Sequence, residues 1–136
     1  MNNTRFATVL HILTLLANNK GEWLNSEWIA GSININSVVV RKEISNLSEA
    51  GLVKSRRGKS GGAMLAKSSS DITLDSVYLV VKNSEVLGKR NIKTNPKCPI
   101  GKVINQKLDN LFSSIDESVV KELKSKTLEN FVSEFR

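Results

Sequence analysis

The residues best suited to chemistry in this chain are cations set among small polar groups. Asn36, Ser37, Val38, Arg41 and Lys42 form one set, and Lys54, Arg56, Arg57, Lys59 and Ser60 form a second. Neither set holds a nucleophile with a base and an orienting acid. The stretch Gly58-Lys59-Ser60-Gly61-Gly62 lacks the spacing of a nucleotide phosphate loop, so no enzymatic activity is expected. What such residues do well is meet a polyanion: long cationic side chains neutralise phosphates, and arginine pairs bidentately with base edges.

Two local elements must hold these groups. Val40, Ile44 and Leu47 recur at intervals of four and three and predict a helix with one buried stripe. At about 100° per residue, Val38, Arg41, Lys42, Ser45 and Glu49 then face away from that stripe. Asn36 can cap this helix and Gly51 stops it. Residues 52–56 and 63–66 read as short strands, and three glycines in the five residues Gly58 to Gly62 supply the dihedrals of a tight tip. Helix and basic hairpin together predict a winged helix facing DNA, with the helix in a major groove and the hairpin at a minor groove or its phosphates.

Upstream, Phe6, Val9, Leu10, Leu13, Leu16 and Ala17 fall at helical spacing, widened by Ile12 and Leu15, with Thr4 as the expected cap. A second helix is expected from Asn25 or Ser26, offering Trp28 and Ile29 to the core, with residues 31–36 as the turn. Downstream, Leu74, Val77, Tyr78 and Val81 predict a short helix over residues 74–82. Residues 83–97 lose the apolar pattern and read as an exposed loop. From there Ile100, Val103, Ile104, Leu108, Leu111, Phe112 and Ile115 form one long stripe that needs a partner, either the chain's own core or a second copy. Val119, Val120, Leu123, Leu128, Phe131, Val132 and Phe135 could pack on the first helix of the same or another subunit. The expected organisation is a DNA-binding unit at 1–82, a linker and sensor loop at 83–99, and a dimerisation region at 100–136. The fold class is mainly α with a small β-hairpin wing.

Composition narrows the partners. The chain has 136 residues, room for one ordinary domain or for one domain plus an oligomerisation element, and a net charge of +7. Nine Lys/Arg against four Asp/Glu fall in residues 1–67, seven against three in 68–108, and four against six in 109–136, giving +5, +4 and −2. The basic surplus thus lies away from the C-terminus, which suits double-stranded DNA as partner. Exposed aromatics interleaved with the cations, which RNA binding would favour, are absent. A winged helix serving as a protein-interaction adaptor is the competing reading, and it has no evident need for Arg41, Lys42, Arg56, Arg57 and Lys59. The apolar run over residues 6–17 is broken by polar residues and too short to span a bilayer, so no membrane partner is expected, and a cytoplasmic location is.

Cys98 is the only cysteine, so an internal disulfide is impossible, and no metal site or cofactor is expected. Lys97, Lys102 and a following helix N-terminus would lower its pKa, so it is either a redox-sensing thiol or an inert cysteine at a helix start. His11, the lone histidine, and Trp23 and Trp28 read as structural groups.

The run Leu47-Ser48-Glu49-Ala50-Gly51-Leu52-Val53-Lys54-Ser55-Arg56-Arg57-Gly58-Lys59-Ser60-Gly61-Gly62, with Asp71-Ile72-Thr73-Leu74 after it, resembles the Rrf2 family of bacterial winged-helix transcription regulators. That family includes regulators of iron-sulfur assembly and repressors responding to nitric oxide and controlling cysteine metabolism. The resemblance extends over nearly the whole chain. It implies a homodimer on a roughly palindromic operator, usually a repressor, with Arg57 in a minor groove and Ser37, Val38 and Arg41 at the groove-facing start of the recognition helix. Cluster-holding members have three cysteines before the long helix, where this chain has Cys98 alone, and Gly101 stands where some carry a ligand histidine. The segment Asn95-Pro96-Lys97-Cys98-Pro99-Ile100-Gly101 therefore looks like a cluster-free branch, whose signal would be an oxidant or a small molecule.

Overall fold

The computed structural model describes residues 3–83 and 86–136. Its elements are α1 (Arg5–Asn18), α2 (Ser26–Ile33), α3 (Ser37–Glu49), β1 (Val53–Arg56), β2 (Gly62–Leu65), α4 (Leu74–Val81), α5 (Pro99–Lys124) and α6 (Leu128–Val132), with short 3-10 turns at Ser69–Asp71 and Ser133–Phe135. The mainly helical fold with a hairpin wing and a long late helix is the one the spacing predicts.

α1 is the central post. Val9, Ile12, Leu13 and Leu16 are buried on it, and full burial of each such side chain favours folding by roughly 1.5–3 kcal/mol. Thr4 does not cap it through its side chain. Its backbone sits at φ −96° and ψ 3°, away from the extended conformation a cap uses, and its carbonyl instead accepts from the Thr8 amide and hydroxyl, each at 2.9 Å.

α2 starts where the Asn25 side chain accepts from the Trp28 amide at 2.8 Å. It runs on through Gly31 to Ile33, so the turn is shorter than the sequence suggests, and left-handed Asn34 (φ 64°) ends it. Ile29 and Ala30 point inward with half-buried Ile33, which leaves Trp28 rotated outward and 51% exposed rather than in the core. α3 buries Val40, Ile44 and Leu47 as its spacing requires. It closes with the Gly51 amide on the Ser48 carbonyl and the Leu52 amide on the Leu47 carbonyl, both at 3.0 Å.

The hairpin pairs β1 and β2 antiparallel from Val53 opposite Leu65 to Arg56 opposite Gly62, within a residue of the expected bounds. Leu24 adds a third line to it, exchanging both backbone hydrogen bonds with Ala63 at 3.0 and 2.9 Å. This ties the root of the wing to the segment entering α2.

α4 buries Leu74, Val77 and Val81 and packs on α5. The chain then returns: α6 packs on α1, with Leu128 and Val132 fully buried in the core that holds Val9 and Leu13. The Leu74 amide donates to the Lys126 carbonyl at 2.9 Å and the Leu128 amide to the Ile72 carbonyl at 2.8 Å, fixing that return. Phe135, by contrast, is 66% exposed.

The loop is exposed over most of residues 86–97, as expected, and it is also tethered antiparallel along α5; Ser84 and Glu85 of it lie outside the described residues. The Val86 amide donates to Asp116 Oδ1 at 2.8 Å, Arg90 pairs with Asp109 at 2.9 Å, Asn105 donates to the Asn91 carbonyl at 2.8 Å and Thr94 to the Gly101 carbonyl at 2.7 Å. Polar side chains on one helix face hold it, so no apolar rhythm announces it. On α5, Ile104, Leu108, Phe112 and Ile115 are half-buried, whereas Ile100, Val103 and Leu111 remain exposed.

Candidate nucleic-acid interface

The helix and the hairpin present Arg41, Arg56 and Arg57 to one cleft, whereas Lys42, Lys54 and Lys59 lie outside its lining. A cavity of about 680 Å³ between them is lined by Ser26 and Glu27 of α2, Arg41 and Ser45 of α3, and Arg56 and Arg57 of the hairpin. Asn36 opens α3 by accepting from the Val38 amide at 2.8 Å. That cap places Ser37 half-buried, with Val38, Arg41 and Lys42 exposed on the first turns.

Arg41 is held rather than loose. Its Nη1 lies 3.3 Å from Ser26 Oγ, 3.4 Å from Glu27 Oε1 and 3.3 Å from Ser37 Oγ. The two hairpin arginines differ. Arg56 donates through Nε and Nη2 to the Ser60 carbonyl at 3.1 and 2.8 Å and lies 4.4 Å over the Trp23 ring. Its guanidinium is spent on shaping the loop, as is the Ser60 carbonyl. Arg57, Lys59 and Lys54 are exposed and make no ion pair among the described residues, so their charge is free for phosphates.

The loop owes its shape to two glycines. A Cβ on Gly61 would strike the Arg56 and Arg57 carbonyls, and one on Gly62, at φ 148°, would strike the Leu24 carbonyl. No side chain larger than hydrogen fits where the hairpin crosses that backbone.

Sequence reasoning missed the group that orients α3. Glu43 is buried and receives Arg5 of α1 bidentately, Nε on Oε2 at 2.9 Å and Nη2 on Oε1 at 3.0 Å, with Asn46 donating to Oε1 at 2.9 Å. The Arg5 bonds hold the Glu43 carboxyl below its ordinary pKa against the opposing effect of burial. A signal existed: Val40, Glu43, Ile44 and Leu47 follow the i, i+3, i+4, i+7 pattern, so an acid occupies a core position and demands a cation.

Cys98 caps α5. Its Sγ accepts from the Gly101 amide at 3.4 Å, and that amide with the Ile100 amide lowers the thiol pKa. The backbone, rather than Lys97 and Lys102, causes the shift, because the helix start aims its free N–H groups at the sulfur. His11 Nε2 pairs with Ser32 Oγ at 3.1 Å. Among the described residues no group of three or more His, Cys, Asp or Glu side chains is arranged to hold a metal ion, and no helix is long and apolar enough to cross a membrane.

A helix, a short turn, a second helix with cations on its exposed first turns and a glycine-shaped basic hairpin define a winged helix-turn-helix protein. The chain matches the model of the family Rrf2, described as an iron-dependent transcriptional regulator, over residues 2–134. YwnA, an HTH-type protein of Bacillus subtilis (strain 168), is 42% identical over 133 residues, covering 98% of each chain. The transcriptional regulator NsrR of Oceanobacillus iheyensis is 29% identical over 126 residues, covering 88% of this chain and 85% of NsrR. The solved structure of CymR, the global cysteine regulator of B. subtilis, superposes with a TM-score of 0.71 at 26% identity, covering 98% of this chain and 97% of CymR. The protein is a member of the Rrf2 family of winged-helix transcription regulators. The iron in the family's description finds no matching donors here: an iron-sulfur cluster is held chiefly by several cysteine thiolates, and Cys98 is the one thiol of the chain, its sulfur engaged by the Gly101 amide.

Proposed function

We propose that the protein is a homodimeric repressor that binds a roughly palindromic operator in duplex DNA. α3 enters the major groove through Ser37, Val38 and Arg41, and Asn36 and Lys42 flank it. The wing meets the adjacent minor groove or backbone through Arg57, with Lys54, Lys59 and the Arg56–Ser60 loop beside it. The observation that carries this reading is the single cleft in which Arg41 of α3 and Arg57 of the hairpin face the same side. Dimerisation uses the apolar face of α5, where Ile100, Val103 and Leu111 lie exposed beside half-buried Ile104, Leu108, Phe112 and Ile115. Two recognition helices then meet two half-sites about one helical turn apart. Cys98 is the site through which a peroxide acts: the thiolate sulfur takes one oxygen as the O–O bond breaks and water leaves, and the added oxygen of the sulfenic acid crowds the Gly101 amide at the start of α5.

Selection of sites from random duplexes, followed by anisotropy titrations across a salt series, tests the reading. A selected sequence with inverted symmetry, bound with a steep negative salt slope, is expected, and its placement upstream of a reporter should lower expression. Binding that is weak, insensitive to sequence or insensitive to salt would refute it.

A further inference from the structure

The cleft is lined by two acids, Glu27 and Glu49, that phosphate affinity alone does not explain, and Glu27 is the one in contact with Arg41. Glu27, on the first turn of α2, is 72% exposed at its side chain and lines the same cleft as Arg57 and Arg41. Near a polyanion an exposed carboxylate is repulsive, so its presence needs another reason.

The reason lies in which Arg41 atoms are occupied. Ser26 Oγ, Glu27 Oε1 and Ser37 Oγ all gather on Nη1. Nε and Nη2 have no partner among the described residues. Those two nitrogens form the parallel fork of the guanidinium, the geometry that donates to O6 and N7 of a guanine in the major groove. An arginine free to rotate would need to surrender side-chain entropy on binding, whereas one contacted at Nη1 by three acceptors has less to surrender and keeps its other edge open.

We propose that Arg41 reads a guanine in each half-site through Nε and Nη2, and that Glu27 is the positioning residue that fixes this orientation from the neighbouring helix. The inference rests on the DNA-binding reading above and adds to it a base identity and a residue on α2. Ser26 and Ser37 share the anchor, but only Glu27 brings charge. Glu27 therefore trades general phosphate affinity for discrimination: its loss strengthens binding to arbitrary duplex and weakens preference at one base pair.

The test is site selection with the parent, Arg41→Ala and Glu27→Ala proteins, then titration of the parent's selected duplex and of variants with that guanine replaced. The parent is expected to prefer guanine over adenine at one position per half-site by roughly 5- to 150-fold. Arg41→Ala should abolish that preference. Glu27→Ala should cut it to a few-fold while raising affinity for a duplex of unrelated sequence, and Glu27→Gln, which keeps an acceptor, should fall between. An unchanged base profile in Glu27→Ala overturns the positioning role. Loss in Arg41→Ala of preference for a base other than guanine overturns the assignment. A parent that selects no sequence at all overturns the DNA-binding reading itself, a failure distinct from both. Glu27 is exposed on a helix turn, and matching thermal melts will show that the variants fold.

Discussion

Replacing Arg5 by methionine isolates the contact that sets the angle of α3. Methionine keeps the aliphatic stem but removes both donors, leaving the Glu43 carboxylate, 3% exposed, with the Asn46 amide alone. Hydrogen bonds to a charged group contribute about 1.5–3 kcal/mol, and stripping a buried ion of its partner costs more. The Arg5 side chain is 38% exposed, so screening argues for the low end, about 2 kcal/mol. For a domain of this size that lowers the melting temperature by roughly 6–10 °C. The pH dependence follows from the pKa of Glu43, which is depressed in the folded state. A depressed carboxylate contributes stability above its unfolded value, about 4.3, and loses it as pH falls through the folded value. The deficit of Arg5→Met should thus be full at pH 7, begin to shrink as pH falls toward about 4.3, and vanish only below the depressed folded value, where Glu43 is protonated in the parent as well. Circular dichroism melts from pH 3 to 8 measure it. The double variant Arg5→Met, Glu43→Met should recover much of the loss, since no buried charge remains unpaired. A melt within a degree of the parent at pH 7, or a deficit constant down to pH 3, would refute the reasoning.

Gly62→Ala should destabilise the protein by about 1–3 kcal/mol, because the added Cβ meets the Leu24 carbonyl, and should weaken DNA binding through the displaced wing; thermal melts and titrations against a selected duplex report the two effects. Replacing Leu108 and Leu111 with serine should shift the sedimentation profile from dimer to monomer or aggregate and weaken operator binding more than a wing substitution does. Cys98 should react with iodoacetamide with a half-maximal rate at a pH below the 8.5 or so of a free thiol, because two backbone amides favour its thiolate. Cys98→Ser should keep the α5 cap, whereas Cys98→Val should lower stability by about 0.5–2 kcal/mol in the same melts.

What the sequence disclosed, and what it withheld, follows from the range of the forces involved. Val40, Ile44 and Leu47 announce α3 because a helix facing a core must repeat, and Asn36 and Gly51 mark its ends through bonds a few residues long. Trp28 misled, since hydrophobicity alone does not say which side of an eight-residue helix it occupies, and Ile29 and Ala30 took the inner one. The tether along α5 was invisible because it is made of single polar bonds such as Asn105 to the Asn91 carbonyl, which impose no periodicity. Of the candidate interface, the positions of Arg41 and Arg57 were readable. The engagement of Arg56 by Trp23 and Ser60, and of Arg41 by Glu27, required three dimensions, because each joins residues from separate elements or loops.

The burial of Leu128 and Val132 against α1 also has a consequence for the order of synthesis. A ribosome releases the chain from its first residue, at about 5–20 residues per second, and α1 through α4 emerge well before α6. Until residues 128–132 arrive, one flank of α1 stays open to water, and the helix-turn-helix stands on an incomplete foundation. The same ribosome must by then have made all of α5. A nascent fragment with a finished helix-turn-helix and no α5 is thus disfavoured by topology: α6 closes the core around α1 only after α5 exists.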